Sequence, residues 1–217
     1  MRVSLTFAFV GCLFAATVAT ASPITSSAVL SSPQTTTFVF DVAQLHQPGP
    51  FVVGNGITVA GSPNMSVGGT NYDLGSNGGW QGTFDWAGTD SNSSTMTFDL
   101  GGLFAGVGGF MNYSIAGDSG PTAFIRALAA DQSVLESYDL RSFAGLAIST
   151  PGATDGGAFR GISRPTADIR FFQLQGSFLI EHDITTGLAT VPEPTSLVLV
   201  ASGAIGLVVR RRRRLKS

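Results

Sequence analysis

The chain has two histidines, His46 and His182, and one cysteine, Cys12. Imidazole and thiol are the usual general bases and nucleophiles near neutral pH, so their scarcity narrows the chemistry at once. No Gly-x-Ser-x-Gly elbow and no zinc-type histidine spacing occurs. Serine and aspartate are plentiful, so counting alone leaves a Ser–His–Asp set open. Glycoside hydrolysis needs two acids about 5–10 Å apart across a cleft. Asp85 with Asp90, or Asp99 with Asp118, are the pairs to consider, and surface solvation is the simpler reading of all four. Asp41 and Asp183 suit a calcium ion, which takes carboxylate and carbonyl oxygens, provided the first and last strands pair. Ordinary negative charge on edge strands accounts for them as well. Trp80, Trp86 and Tyr113 could stack on sugar rings, with burial in a core as the simpler alternative. Within one strand, Trp80 and Trp86 would share a face.

These residues must be positioned by β structure. Apolar residues alternate with polar ones at Phe38, Phe40 and Val42; at Met96, Phe98 and Leu100; and at Phe178, Ile180, His182 and Ile184. Clusters of Gly, Asn, Asp and Ser separate such runs. Period-two runs bounded by turn residues define an antiparallel β-sandwich or barrel. Strands are expected at 36–42, 56–60, 82–86, 95–100, 107–115, 122–129, 133–138, 158–162, 167–174 and 177–185. The paired glycines Gly101-Gly102 and Gly108-Gly109 lack the strand–helix context of a dinucleotide fingerprint and read as sites of close strand packing.

The two ends carry processing signals. Arg2, the apolar stretch 3–19 and Ala19-Thr20-Ala21 form a secretory signal peptide over residues 1–21. Cys12 lies inside it, so the mature chain has no cysteine and no disulfide. Residues 22–35, rich in Ser, Thr and Pro, read as a flexible leader; 36–185 as the sandwich; 186–190 as a linker; and 191–217 as a tail. The tail runs from Val191-Pro192-Glu193-Pro194 through an apolar segment ending at Val209 to Arg210, Arg211, Arg212, Arg213 and Arg214. Prolines keep the first part extended. The apolar segment is expected to form a single, marginally long transmembrane helix, with the arginines as its positive-inside stop.

This ordered set resembles the PEP-CTERM protein-sorting domain of bacterial exported proteins. The resemblance implies that Pro192, Glu193 and Pro194 mark the chain for an exosortase, a membrane enzyme that processes such tails, and that the arginines are the retention signal. The segments Thr97-Phe98-Asp99-Leu100, Gly106 to Tyr113, Gly161-Ile162, Ala167-Asp168-Ile169 and Ile180 to Ile184 are similar to the jelly-roll-like ectodomains found ahead of such tails. That likeness implies a secreted sandwich, sometimes compared with carbohydrate-binding modules, and brings no catalytic residues.

Without the ends, residues 22–190 hold thirteen acidic residues against five arginines, a formal charge of −8 that the basic tail masks in the overall −2. Such a surface disfavours nucleic acid and anionic lipid. The reading is an exported, non-catalytic surface or matrix protein among extracellular polysaccharide, with no cofactor unless calcium binds. The alternatives are a carbohydrate-binding module and, more remotely, a secreted hydrolase. An exposed Trp80/Trp86 platform would favour the first, and a pocket joining histidine and acids the second.

Overall fold

The computed structural model describes residues 21–69, 72–73, 79–80, 84–91, 93–113, 123–140, 142, 157–176 and 179–188. Its strands are β1 (Ser22–Ile24), β2 (Ser31–Thr37), β3 (Gln44–Gln47), β4 (Phe51–Gly54), β5 (Ile57–Ser62), β6 (Met65–Gly68), β7 (Tyr72–Asp73), β8 (Gly79–Trp80) and β9 (Trp86–Thr89). They continue as β10 (Thr95–Phe104), β11 (Gly106–Asn112), β12 (Phe124–Leu128), β13 (Val134–Asp139), β14 (Ala158–Ser163), β15 (Ile169–Gln175), β16 (Ile180–Glu181) and β17 (Asp183–Leu188). All pairing is antiparallel and builds a sandwich, as expected. One sheet runs β1-β14-β11-β16-β9-β6-β3, with β17 bridging β11 to β2. The other runs β13-β12-β15-β10-β5-β4, and β7 pairs with β8 alone. Successive strands such as β5/β6, β10/β11 and β14/β15 lie in opposite sheets, so the chain crosses the core repeatedly.

Alternation fixes which side chains fill the space between the sheets. In β10, Met96, Phe98 and Leu100 are buried while the intervening residues are partly exposed. Phe38 stacks on Phe98 with ring centroids 5.6 Å apart, and Val59, Val107, Ile125, Ile162, Phe172 and Ile184 complete one continuous core. A sandwich without disulfides depends on such a core, each fully buried large apolar side chain contributing about 1.5–3 kcal/mol. β10 is interrupted by a bulge between Asp99 and Phe104. Gly101 supplies it, at φ +73, and Asp99 Oδ1 accepts the Gly101 N–H at 2.9 Å.

Several boundaries differ from the expected ones. Residues 22–35 are not a leader: β1 pairs with β14, and β2 pairs with β17. Ile24, Leu30 and Phe159 form a small separate apolar cluster that ties this segment down. A polar, mostly exposed strand suffices at a sheet edge, and the β-branched threonines suit it; Thr35 and Thr185 hydroxyls meet at 2.9 Å across the pair. Residues 186–188 of the expected linker also belong to the fold, since β17 runs to Leu188, and residues 189–190 lie outside the described residues. The strand expected at 36–42 ends at Thr37, and Val42 is exposed. No strand was expected at 44–47, 51–54, 65–68 or 72–73, where the runs are short.

Candidate functional site

The last strand breaks its own alternation. Glu181 lies opposite Met111 of β11 and Ala87 of β9, both core residues. Ile184, three positions on, is again in the core. An odd step between two inward-facing residues needs one extra residue, and His182 and Asp183 absorb it as a bulge between β16 and β17. Glu181 is therefore 0% exposed, and among the described residues neither carboxylate oxygen has a hydrogen-bond partner. Its side chain lies over the backbone of Gly109, where a Cβ would collide with Glu181 Oε1 and the Asp183 carbonyl. Burial pushes the carboxyl well above the usual carboxylate range, and the adjacent Asp183 adds to that push.

Nearby, Arg160 of β14 lies opposite Gly109 and is buried. Its Nε donates to the Tyr113 hydroxyl at 2.8 Å and its Nη1 to the Phe159 carbonyl at 2.9 Å. Burial raises the Tyr113 hydroxyl, while the hydrogen bond and charge of Arg160 oppose the rise.

His182 points the other way. It stacks between Phe84 and Phe110, with centroids at 5.1 and 5.4 Å and interplanar angles of 14° and 20°. Phe159 closes the row edge-on to Phe110. Asp183 Oδ2 lies 3.2 Å from His182 Nδ1. The ring is held between two phenylalanines, on the opposite face of the strand from the Glu181 carboxyl.

The fold does bring a serine, an aspartate and a histidine together. Ser66 donates to Asp90 Oδ1 at 2.5 Å and accepts from the His46 backbone N–H at 3.1 Å, and His46 Nδ1 lies 3.1 Å from Asp90 Oδ2. The order is wrong for nucleophilic catalysis, which needs the imidazole between hydroxyl and carboxylate. Here the carboxylate accepts the hydroxyl's hydrogen bond directly, and the group pins β3 to β6.

The other expected residues disperse. Trp86 and Tyr113 are 2% and 1% exposed, so neither presents a ring to solvent and both are withdrawn as sugar platforms. Trp80 belongs to β8, paired with Tyr72, and so does not share a strand with Trp86. Asp85 Oδ2 accepts the Phe40 N–H, Asp99 is bound by Arg170 at 2.7 Å, and Asp118 lies outside the described residues. For the calcium pair, the strand pairing it required is present, with Asp183 opposite Thr37, while Asp41 lies in the exposed stretch after β2 and Asp183 Oδ2 is beside His182. Among the described residues no three His, Cys, Asp or Glu side chains converge as a metal would require. An open groove of about 570 Å³ lies along residues 39–52, where Asp41, Gln44 and Gln47 stand beside exposed Val39, Val42 and Val52. Nothing in the sequence singled out this groove. Glu181 was missed because it sits between Ile180 and His182 in a run that reads as plain alternation, which places it on the outer face.

The sorting residues, Val191 to Pro194 and Arg210 to Arg214, lie outside the described residues, as does the apolar segment between them; among the described residues no helix is long and apolar enough to cross a membrane. Residues 190–214 match the family model of the PEP-CTERM protein-sorting motif. The match covers the C-terminal tail alone, and such a motif implies export and recognition by an exosortase. No curated protein and no solved structure matches the chain.

Proposed function

We propose that the protein is an exported, non-catalytic β-sandwich, jelly-roll-like in its crossings, that works at the cell surface or in the extracellular matrix. It leaves the cytoplasm by its signal peptide, is held by the apolar tail, and is released or transferred when an exosortase acts at Pro192-Glu193-Pro194. The motif match over residues 190–214 carries this reading. The acidic ectodomain supports a structural role. Replacing Pro192 and Glu193 together by alanine tests it in the native cells. The variant is expected to stay in the membrane fraction at precursor size while the unaltered protein leaves it. Equal release of both would refute recognition at this motif.

The groove along residues 39–52 favours a second reading, a carbohydrate-binding module. Two amides and a carboxylate beside apolar side chains suit the hydroxyls and C–H faces of a sugar, and the volume falls within the usual range for ligand sites. Glycan-array binding that disappears in Gln44→Ala/Gln47→Ala would support it; binding unchanged by that pair would exclude the groove.

A further inference from the structure

Both ends of the described fold lie at one end of the sandwich. Ser22 is opposite Ser163, Ser163 is opposite Gly106, and Gly106 is opposite Gly187. Three strand spacings of about 4.8 Å put Ser22 about 14 Å from Gly187. The next residue, Leu188, faces Ser31, and the Ala105 N–H donates to the Gly187 carbonyl at 3.0 Å. The chain that enters the sandwich after the signal peptide and the chain that leaves it for the sorting tail therefore share one side.

That same end exposes large apolar side chains. Val29 is 56% exposed, Leu103 53% and Leu188 54%. They are neighbours in the fold. Val29 precedes Leu30, which packs over Gly106 and Gly187; Leu103 precedes the Ala105 turn; and Leu188 ends β17. The local cation does not compete for anionic headgroups. Arg164 donates from Nε to Asp168 Oδ1 at 2.7 Å and from Nη1 to Glu136 Oε1 at 2.5 Å. What this end offers a surface is apolar contact.

The tail says which surface is within reach. Leu197, where the apolar run begins, comes nine Cα–Cα steps after Leu188. Fully extended, they span at most about 30 Å. A sandwich so tethered cannot leave the membrane surface, and the tethered end presents Val29, Leu103 and Leu188 to it. We propose that in the tail-bearing precursor this end rests on the bilayer, with Val29, Leu103 and Leu188 in the interfacial layer. The proposal depends on the tail anchoring the precursor. It adds the orientation in which the Pro-Glu-Pro site is offered to a membrane enzyme, held close to the lipid by the sandwich as well as by the tail.

The test uses the full chain with Cys12→Ser and one added cysteine at a time: Val29→Cys, Leu103→Cys, Leu188→Cys, and Ser93→Cys as a control. Ser93 lies just before the start of β10, the far end of a ten-residue strand from Leu103 and about 30 Å away. Each protein is labelled with an environment-sensitive fluorophore and reconstituted into phosphatidylcholine vesicles with or without doxyl-labelled lipid. Flotation with the vesicles reports anchoring, and quenching reports docking. The expected result is flotation of all four, quenching at positions 29, 103 and 188 several-fold greater than at 93, and little change on adding salt. Flotation with no quenching, or with equal quenching at all four, overturns the docking while leaving the anchoring intact. Failure to float overturns the anchoring, and the docking with it. A second copy or a protein partner on this end would appear as flotation without lipid quenching, and also counts against the proposal.

Discussion

Replacing Glu181 by glutamine tests the least expected feature of the interior. The carboxyl is sealed between the sheets, without a hydrogen-bond partner among the described residues and with Asp183 as its charged neighbour. In the unfolded chain it titrates near the ordinary value of about 4.3. In the folded protein its pKa is raised by burial. Above the unfolded value the native state therefore holds a proton that the unfolded state has released. Stability from this group is fully present below the unfolded value and is lost as pH rises toward the native one. The slope for one proton is about 1.4 kcal/mol per pH unit. For a domain of this size 1 kcal/mol moves the melting temperature by about 2–4 °C. Glu181→Gln cannot ionise, so its melting temperature should gain on the parent by about 3–6 °C per pH unit between the unfolded and the native values. The new amide brings its own unsatisfied donors, but that cost is independent of pH and shifts only the offset. Thermal melts of both proteins across about pH 4 to pH 8 give the difference curve. A flat difference would mean that Glu181 is ionised and compensated in the folded protein, and the reasoning would fail.

Three further outcomes follow from the same region and the tail. Gly109→Ala would drive a methyl into Glu181 and the Asp183 carbonyl, and should cost about 1–3 kcal/mol in a denaturant titration; Glu181→Ala in the same background should recover part of that loss. Tyr113→Phe removes the acceptor of the buried Arg160 Nε–H and should destabilise by about 1.5–3 kcal/mol, read in the same assay. The Pro192→Ala/Glu193→Ala precursor should accumulate in the membrane fraction without any change in the ectodomain's melting temperature.

The sequence was most legible where the chain obeys a simple period or a linear motif. Met96, Phe98 and Leu100 alternate in sequence and fill the core, so β10 could be read directly. The tail could be read because other proteins recognise it as a linear string, and the family match falls on it. The edges of the sandwich were not legible. A polar strand such as β2 has the composition of a leader, and only its pairing with β17 distinguishes the two. The last strand misled for another reason. Ile180, His182 and Ile184 look like one face, but the bulge shifts the register by one residue and turns Glu181 inward, and sequence periodicity cannot reveal a bulge. Trp86 and Tyr113 show the limit for single residues: an aromatic side chain serves a core or a platform equally well until burial decides, and here burial decided for the core.

The central claim is that the chain is an exported precursor cut at its C-terminal address. Intact-mass spectrometry of the protein purified from its native cells and from the matrix around them tests this most directly. The account expects mature molecules that begin at Ser22 and lack Arg210 to Arg214, with the new C-terminus near Pro192-Glu193-Pro194. Mature protein that retains all five arginines on every molecule would contradict it.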